Sequence, residues 1–130
     1  MPSPTNERNI RPRTWYQKFR DAFRGVRSGT RGQSSFRVHL FVAAAVIAAA
    51  ALLRCTLVEW CILLLCIAGV LTAEMINSAF EHFAKVVDKE HNPELGEALD
   101  TASAAVLFAS LGAAVVGAII FASRLWLMWH

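Results

Sequence analysis

Three apolar stretches, at about 36–53, 57–76 and 102–122, govern what this chain can become. Each approaches the length that one helix needs to cross the hydrocarbon of a bilayer, with the first two near the lower limit. Inside hydrocarbon every backbone N–H and C=O must find its partner within the chain, which makes helices the spanning form for segments of this kind. A hydrophobic content of 55% over 130 residues is too high for an ordinary soluble domain of that size. The expected fold is therefore all-α and integral to the membrane, with three transmembrane helices. Residues Glu74 to Asp88 contain neither Pro nor Gly and keep apolar groups at Ile76, Ala79, Phe80, Phe83 and Val87. The second helix should thus run well past its bilayer-length stretch. After a loop containing Asn92-Pro93, the third is expected to open at Asp100, Thr101 and Ser103.

Charge sets the orientation. Of the 13 Lys and Arg, nine lie at or before the start of the first stretch: Arg8, Arg11, Arg13, Lys18, Arg20, Arg24, Arg27, Arg31 and Arg37. The bias of Lys and Arg toward the cytoplasm then puts the N-terminus inside, the Arg54-Cys55-Thr56 turn outside and the 88–97 loop inside. Within the basic region, Trp15, Phe19, Phe23 and Val26 recur at helical spacing while Lys18, Arg20, Arg24 and Arg27 occupy the remaining surface. An amphipathic helix over about 14–30, lying in the cytoplasmic interface against anionic headgroups, is the expectation. Residues 1–13, with three prolines there and scattered charge, read as a disordered tail ahead of one membrane domain at 14–130. No recognition motif accompanies the basic arm, which argues against nucleic acid as a partner. Nothing in the N-terminal region resembles a cleaved signal peptide, because the first apolar stretch starts late.

Cys55, Cys61 and Cys66 are odd in number and two fall inside an apolar stretch, so they read as packing residues, without a disulfide framework. His39, His82 and His91 show no metal-ligand spacing with one another. Ser103, Ala105, Ala109, Gly112, Ala113 and Gly117 form a small-residue face in the third stretch that permits close helix approach and suggests an oligomer. Trp126 and Trp129, with Arg124, read as an interfacial anchor.

The residues that carry chemistry stand at the end of the second stretch. Glu74, Asn77 and Glu81, at i, i+3 and i+7, share one helical face at the membrane boundary. A carboxylate within hydrocarbon costs about 2.5–3.5 kcal/mol on insertion scales, so its presence there calls for a cation, a partner or a reaction. Pairing with Lys85, Arg31 or Arg37 would account for one such acid more easily than for three aligned polar groups. Asp100 is either a first-turn acid or a further carboxylate brought to the level of Glu81 by the antiparallel return of the chain. Carboxylates beside water with an amide between them suit a Mg²⁺ ion that keeps some waters and takes other ligands from phosphates. A proton or cation conduit would need polar groups continuing across the bilayer, and Leu63 to Val70 offers only Cys66.

The segment Glu74-Met-Ile-Asn-Ser-Ala-Phe-Glu81, followed by Asp100 in Leu-Asp-Thr-Ala-Ser-Ala-Ala-Val-Leu, resembles the signature of the small prokaryotic diacylglycerol and undecaprenol kinases. Phe19-Arg-Asp-Ala-Phe-Arg-Gly-Val-Arg27 and Ser35-Phe-Arg-Val-His39 fit that family's amphipathic helix and the opening of its first span, and the resemblance covers roughly residues 15–122. It implies a homotrimeric bundle in the bacterial cytoplasmic membrane that uses ATP and Mg²⁺ to phosphorylate the hydroxyl of diacylglycerol or undecaprenol. By the same resemblance Glu74 is the general base on the lipid hydroxyl, Glu74 and Ser103 meet the lipid, and Asn77, Glu81 and Asp100 surround the nucleotide. Glu81 is the implied metal ligand, joined by the residue at Gln33.

Three positions depart from the family pattern. Gln33 stands where a second metal-binding glutamate is usual, Leu99 where a lysine precedes the aspartate, and Lys85 where an aspartate follows Glu81 by one turn. The loss of charge at Gln33 weakens metal affinity, and the expectation for Lys85 is that its ammonium replaces the missing lysine at the phosphates, against the simpler reading of an i, i+4 pair with Glu81. The departures leave open a weak or inactive member that serves as a membrane structural or interaction protein.

Overall fold

A computed structural model describes residues 12–30, 34–87 and 92–130. Most of the expected tail at 1–13, and Gln33 with it, lies outside the described residues. Four helices account for nearly all the rest: α1, Trp15–Thr30; α2, Ser34–Leu52; α3, Leu57–Val87; and α4, Pro93–Trp129. The last three are long and apolar enough to cross a membrane, and little of their surface is buried within the chain.

Helices α1, α3 and α4 start where a side chain satisfies their open N–H groups. Thr14 and Gln17 form a reciprocal capping box before α1, Thr14 Oγ1 accepting from Gln17 N at 3.3 Å and Gln17 Oε1 from Thr14 N at 3.1 Å. Thr56 and Glu59 repeat the device at α3, with Thr56 N donating to Glu59 Oε2 at 2.7 Å and Glu59 N to Thr56 Oγ1 at 3.3 Å. At α4 the cap is Asn92, whose Oδ1 accepts from Glu94 N at 3.0 Å, with Pro93 in the first turn where its missing N–H costs nothing. This corrects the expected helix start at Asp100. The cap and proline begin α4 seven residues earlier, placing Asp100 inside the helix and ruling out a capping role for it.

The turn from α2 to α3 is a Schellman motif. Cys55 N donates to Ala50 O at 3.1 Å and Arg54 N to Ala51 O at 3.3 Å, with Arg54 held at φ 52°. That left-handed conformation favours glycine, so Arg54→Gly should raise stability by up to about 1 kcal/mol, read as a higher melting temperature in micelles. The Cys55 side chain completes the motif by packing on a small core of Ala50, Leu63 and Ile120. Burial first, and the Glu59 carboxylate second, push its thiol above the ordinary range, which suits a packing group better than a nucleophile.

That core and an ion pair hold the helices together at this end. Arg124 Nη2 stands 2.6 Å from Glu59 Oε2, and Arg124 Nε donates to the same oxygen at 2.7 Å, fastening α4 to the first turn of α3. Helices α3 and α4 make the most extensive contact, an antiparallel pair, while α2 leans mainly on α3. Between α2, α3 and α4 lies a cavity of about 260 Å³ whose walls are aliphatic apart from His39, Cys66, Ser110 and Phe121. Helix α1 touches α3 near its C-terminal end, where Gly29 lies against the Met75 side chain. Its apolar residues Trp15, Phe19 and Phe23 remain exposed, as an interfacial helix requires.

Candidate functional site

Helix α3 turns the same face inward along its length, first with Leu63 and Val70, then with Glu74, Asn77 and Ser78. The change from apolar to polar along one buried face marks the site. Glu74 is 2% exposed, Asn77 7% and Ser78 1%, so all three polar groups are covered by the protein.

Two residues of α2 hold the Glu74 carboxylate. Ser35 Oγ donates a short hydrogen bond to Oε1, and His39 Nε2 lies 3.7 Å from Oε2. Ser35 and His39 are one turn apart, at i and i+4, and therefore share a face of α2. Among the described residues neither Lys nor Arg pairs with Glu74, and its Oε2 accepts no hydrogen bond. A nearly water-free carboxylate thus keeps one oxygen available beside the cavity wall.

One turn further along α3, Asn77 Nδ2 donates to Glu81 Oε1 at 3.0 Å, and Asn77 Oδ1 accepts from Ser103 Oγ at 3.3 Å. The Ser103 hydroxyl also reaches the Leu99 carbonyl at 3.0 Å, so its single proton is shared between the two. Ser103 ties α4 to α3 at the level of Asn77. From there Asp100 and Glu81 lie three and four residues along antiparallel helices, rises of about 4.5 and 6 Å in the same direction. Asp100 is exposed and Glu81 half-buried, so the site passes from a closed floor at Glu74 to an open rim.

Several expected residues meet in this arrangement. Glu74, Asn77 and Glu81 form a continuous line, and Ser103 joins it through Asn77 with no hydrogen bond to Glu74. Lys85 is exposed one turn beyond Glu81, and no ion pair joins the two. Gln33 belongs to the undescribed segment before α2. Ser35 and His39 were not anticipated: the signal was their i, i+4 spacing in Ser-Phe-Arg-Val-His, which no sequence rule links to a carboxylate on another helix. Among the described residues no cluster of three His, Cys, Asp or Glu could hold a metal by itself. Such a donor set fits an ion that arrives on a nucleotide, because Mg²⁺ commonly takes one or two carboxylates and completes its shell with phosphates and water.

Comparison with known proteins gives the family. The profile of the prokaryotic diacylglycerol kinase family matches residues 20–121. The chain is 30% identical over 111 residues to an undecaprenol kinase of Bacillus subtilis, covering 85% of this chain and 90% of that protein. It is 36% identical over 100 residues to a diacylglycerol kinase of Synechocystis, covering 76% of this chain and 57% of the relative. No solved structure matches the chain at a comparable level. With a profile that runs from within α1 through α2 and α3, with its polar line, into α4, the chain belongs to the prokaryotic diacylglycerol kinase family, a family of ATP-dependent lipid kinases.

Proposed function

We propose that this chain transfers the γ-phosphate of ATP to the primary hydroxyl of a membrane lipid, either diacylglycerol or undecaprenol, at the Glu74 face of α3. The observation that carries the reading is the position of Glu74, a carboxylate 2% exposed where an apolar cavity meets a polar line leading outward through Asn77 to Glu81. A lipid alcohol arriving from the bilayer reaches Glu74 first, and a nucleotide arriving from water reaches Glu81, Asp100 and Lys85 first.

Glu74 takes the proton of the attacking hydroxyl, Asn77 holds Glu81 Oε1 in place, and Asp100 and Lys85 line the rim for the nucleotide. Glu81, with the Gln33 side chain, would hold the Mg²⁺ that comes with ATP, and that ion would neutralise charge on the phosphates. Ser103 belongs to the lipid side through its hold on Asn77. Nearly all the work is alignment and charge placement, as phosphoryl transfer demands.

The charge bias toward the N-terminus supports a cytoplasmic placement of α1 and the nucleotide site, in the cytoplasmic membrane of a bacterium. Exposed apolar faces support a homotrimer, and a Cβ added at the exposed Gly112 meets nothing within 4 Å, which leaves open space on α4 for a neighbouring helix. Chemical cross-linking in micelles should give a ladder that ends at three chains.

The deciding assay offers diacylglycerol and undecaprenol side by side, with MgATP and purified protein in mixed micelles. Product from one lipid, absent with Glu81→Ala, names the acceptor. No product from either, with folded oligomeric protein, overturns the reading in favour of an inactive member altered at Gln33, Leu99 and Lys85.

A further inference from the structure

His39 belongs to two surroundings at once. Its Nε2 is 3.7 Å from Glu74 Oε2, and its ring forms part of the wall of the apolar cavity between α2, α3 and α4, beside Val42, Val70 and Leu71. A separation of 3.7 Å exceeds a hydrogen bond, and the two atoms are close enough for one oxygen to one side of them to lie at ordinary hydrogen-bond distance from both. Oε1 is already taken by Ser35, so a group that reaches His39 at the cavity wall meets an imidazole with Glu74 Oε2 3.7 Å from its Nε2.

We propose that His39 is the second contact to the acceptor hydroxyl, an inference that rests on the lipid-kinase reading above. With its proton on Nε2 the ring donates to the hydroxyl oxygen, and the hydroxyl donates to Glu74 Oε2. One remaining lone pair then points away from both, toward the rim where the nucleotide enters. In the transfer, the hydroxyl oxygen forms its bond to the γ-phosphorus and the bond from that phosphorus to the bridging oxygen breaks. The electron pair leaves with ADP, and the hydroxyl proton passes to Glu74. His39 keeps its proton throughout; it orients the nucleophile and leaves the base role to Glu74. An alcohol carried on an apolar tail suits this geometry, because its tail follows the cavity while its oxygen meets the two polar groups at the wall. A purely structural His39, packing on α3, would not discriminate between donor and non-donor replacements of similar size.

The test compares His39→Leu, which removes the donor, with His39→Gln, which returns an amide N–H near the place of Nε2. Initial rates are measured over a range of short-chain diacylglycerol, short-chain polyprenol and MgATP. For the accepted lipid, His39→Leu should lower kcat/KM by about 10- to 100-fold, with the KM for MgATP within about twofold of the parent. His39→Gln should recover most of that loss. In parallel, ¹⁵N-labelled protein is titrated with each alcohol in the absence of nucleotide, and the His39 imidazole signal should move with the alcohol that is phosphorylated. An unchanged kcat/KM for the lipid in His39→Leu, or an equal loss in both variants together with a raised MgATP KM, overturns the proposal. If the parent phosphorylates neither alcohol, the kinase reading fails on its own. The imidazole titration then decides the contact: a shift upholds it and a silent signal ends it.

Discussion

Glu74→Gln will lower turnover of the lipid alcohol by about 100- to 10,000-fold, the range expected when a positioned general base is lost. The substitution is nearly isosteric, and the amide oxygen can still accept from Ser35 Oγ, so the geometry of the floor survives. In the proposed mechanism, what disappears is the group that receives the hydroxyl proton. Stability should move the other way. Glu74 is 2% exposed, with a serine hydroxyl and an imidazole as its described polar neighbours and neither Lys nor Arg beside it, so its charge is incompletely compensated. A buried charge without a cation beside it carries a desolvation cost that a neutral group of the same shape avoids. The expected pairing is therefore an inactive protein whose melting temperature in micelles equals or exceeds that of the parent. A Glu74→Gln variant that retains activity within tenfold of the parent removes Glu74 from the mechanism, and one that is inactive but poorly folded shows a structural role instead.

Much of this was legible before any coordinates, and the reasons differ from element to element. The apolar stretches gave the three spanning helices because hydrocarbon allows a backbone so few solutions. The Glu74, Asn77, Glu81 line was readable because all three residues ride on one helix, where spacing alone decides which side chains share a face. The caps of α1 and α3 are written in the sequence, as Thr-x-x-Gln at Thr14 and Thr-x-x-Glu at Thr56. At α4 the polar residues Asp100, Thr101 and Ser103 looked like an opening, and Asn92-Pro93 outranked them because a cap followed by proline satisfies the first turn directly. Contacts between helices were beyond reach. Ser35 and His39 on Glu74, and Arg124 on Glu59, join residues 39, 35 and 65 positions apart, and only the packing of α2 and α4 on α3 brings them together.

Glu81→Gln should produce a loss of a different kind from that at Glu74. The two carboxylates are seven residues apart on α3, a rise of about 10 Å, so they cannot both touch the attacking hydroxyl. On the proposed reading Glu81 would act on the phosphates and Glu74 on the alcohol. The amide at position 81 keeps an oxygen toward Asn77 but carries no charge for a divalent ion, and kcat/KM for MgATP should fall on the order of 10²–10³-fold. The lipid KM should stay near that of the parent. Excess Mg²⁺ or Mn²⁺ should restore part of the Glu81→Gln loss, since a weakened ligand set can be refilled by mass action. The same addition should leave Glu74→Gln unchanged, because no metal concentration supplies a proton acceptor beside the hydroxyl. Rates for both variants across a metal titration therefore separate the two ends of the site. Equal metal responses in the two variants, or a raised lipid KM in Glu81→Gln alone, would show that Glu81 does not face the nucleotide.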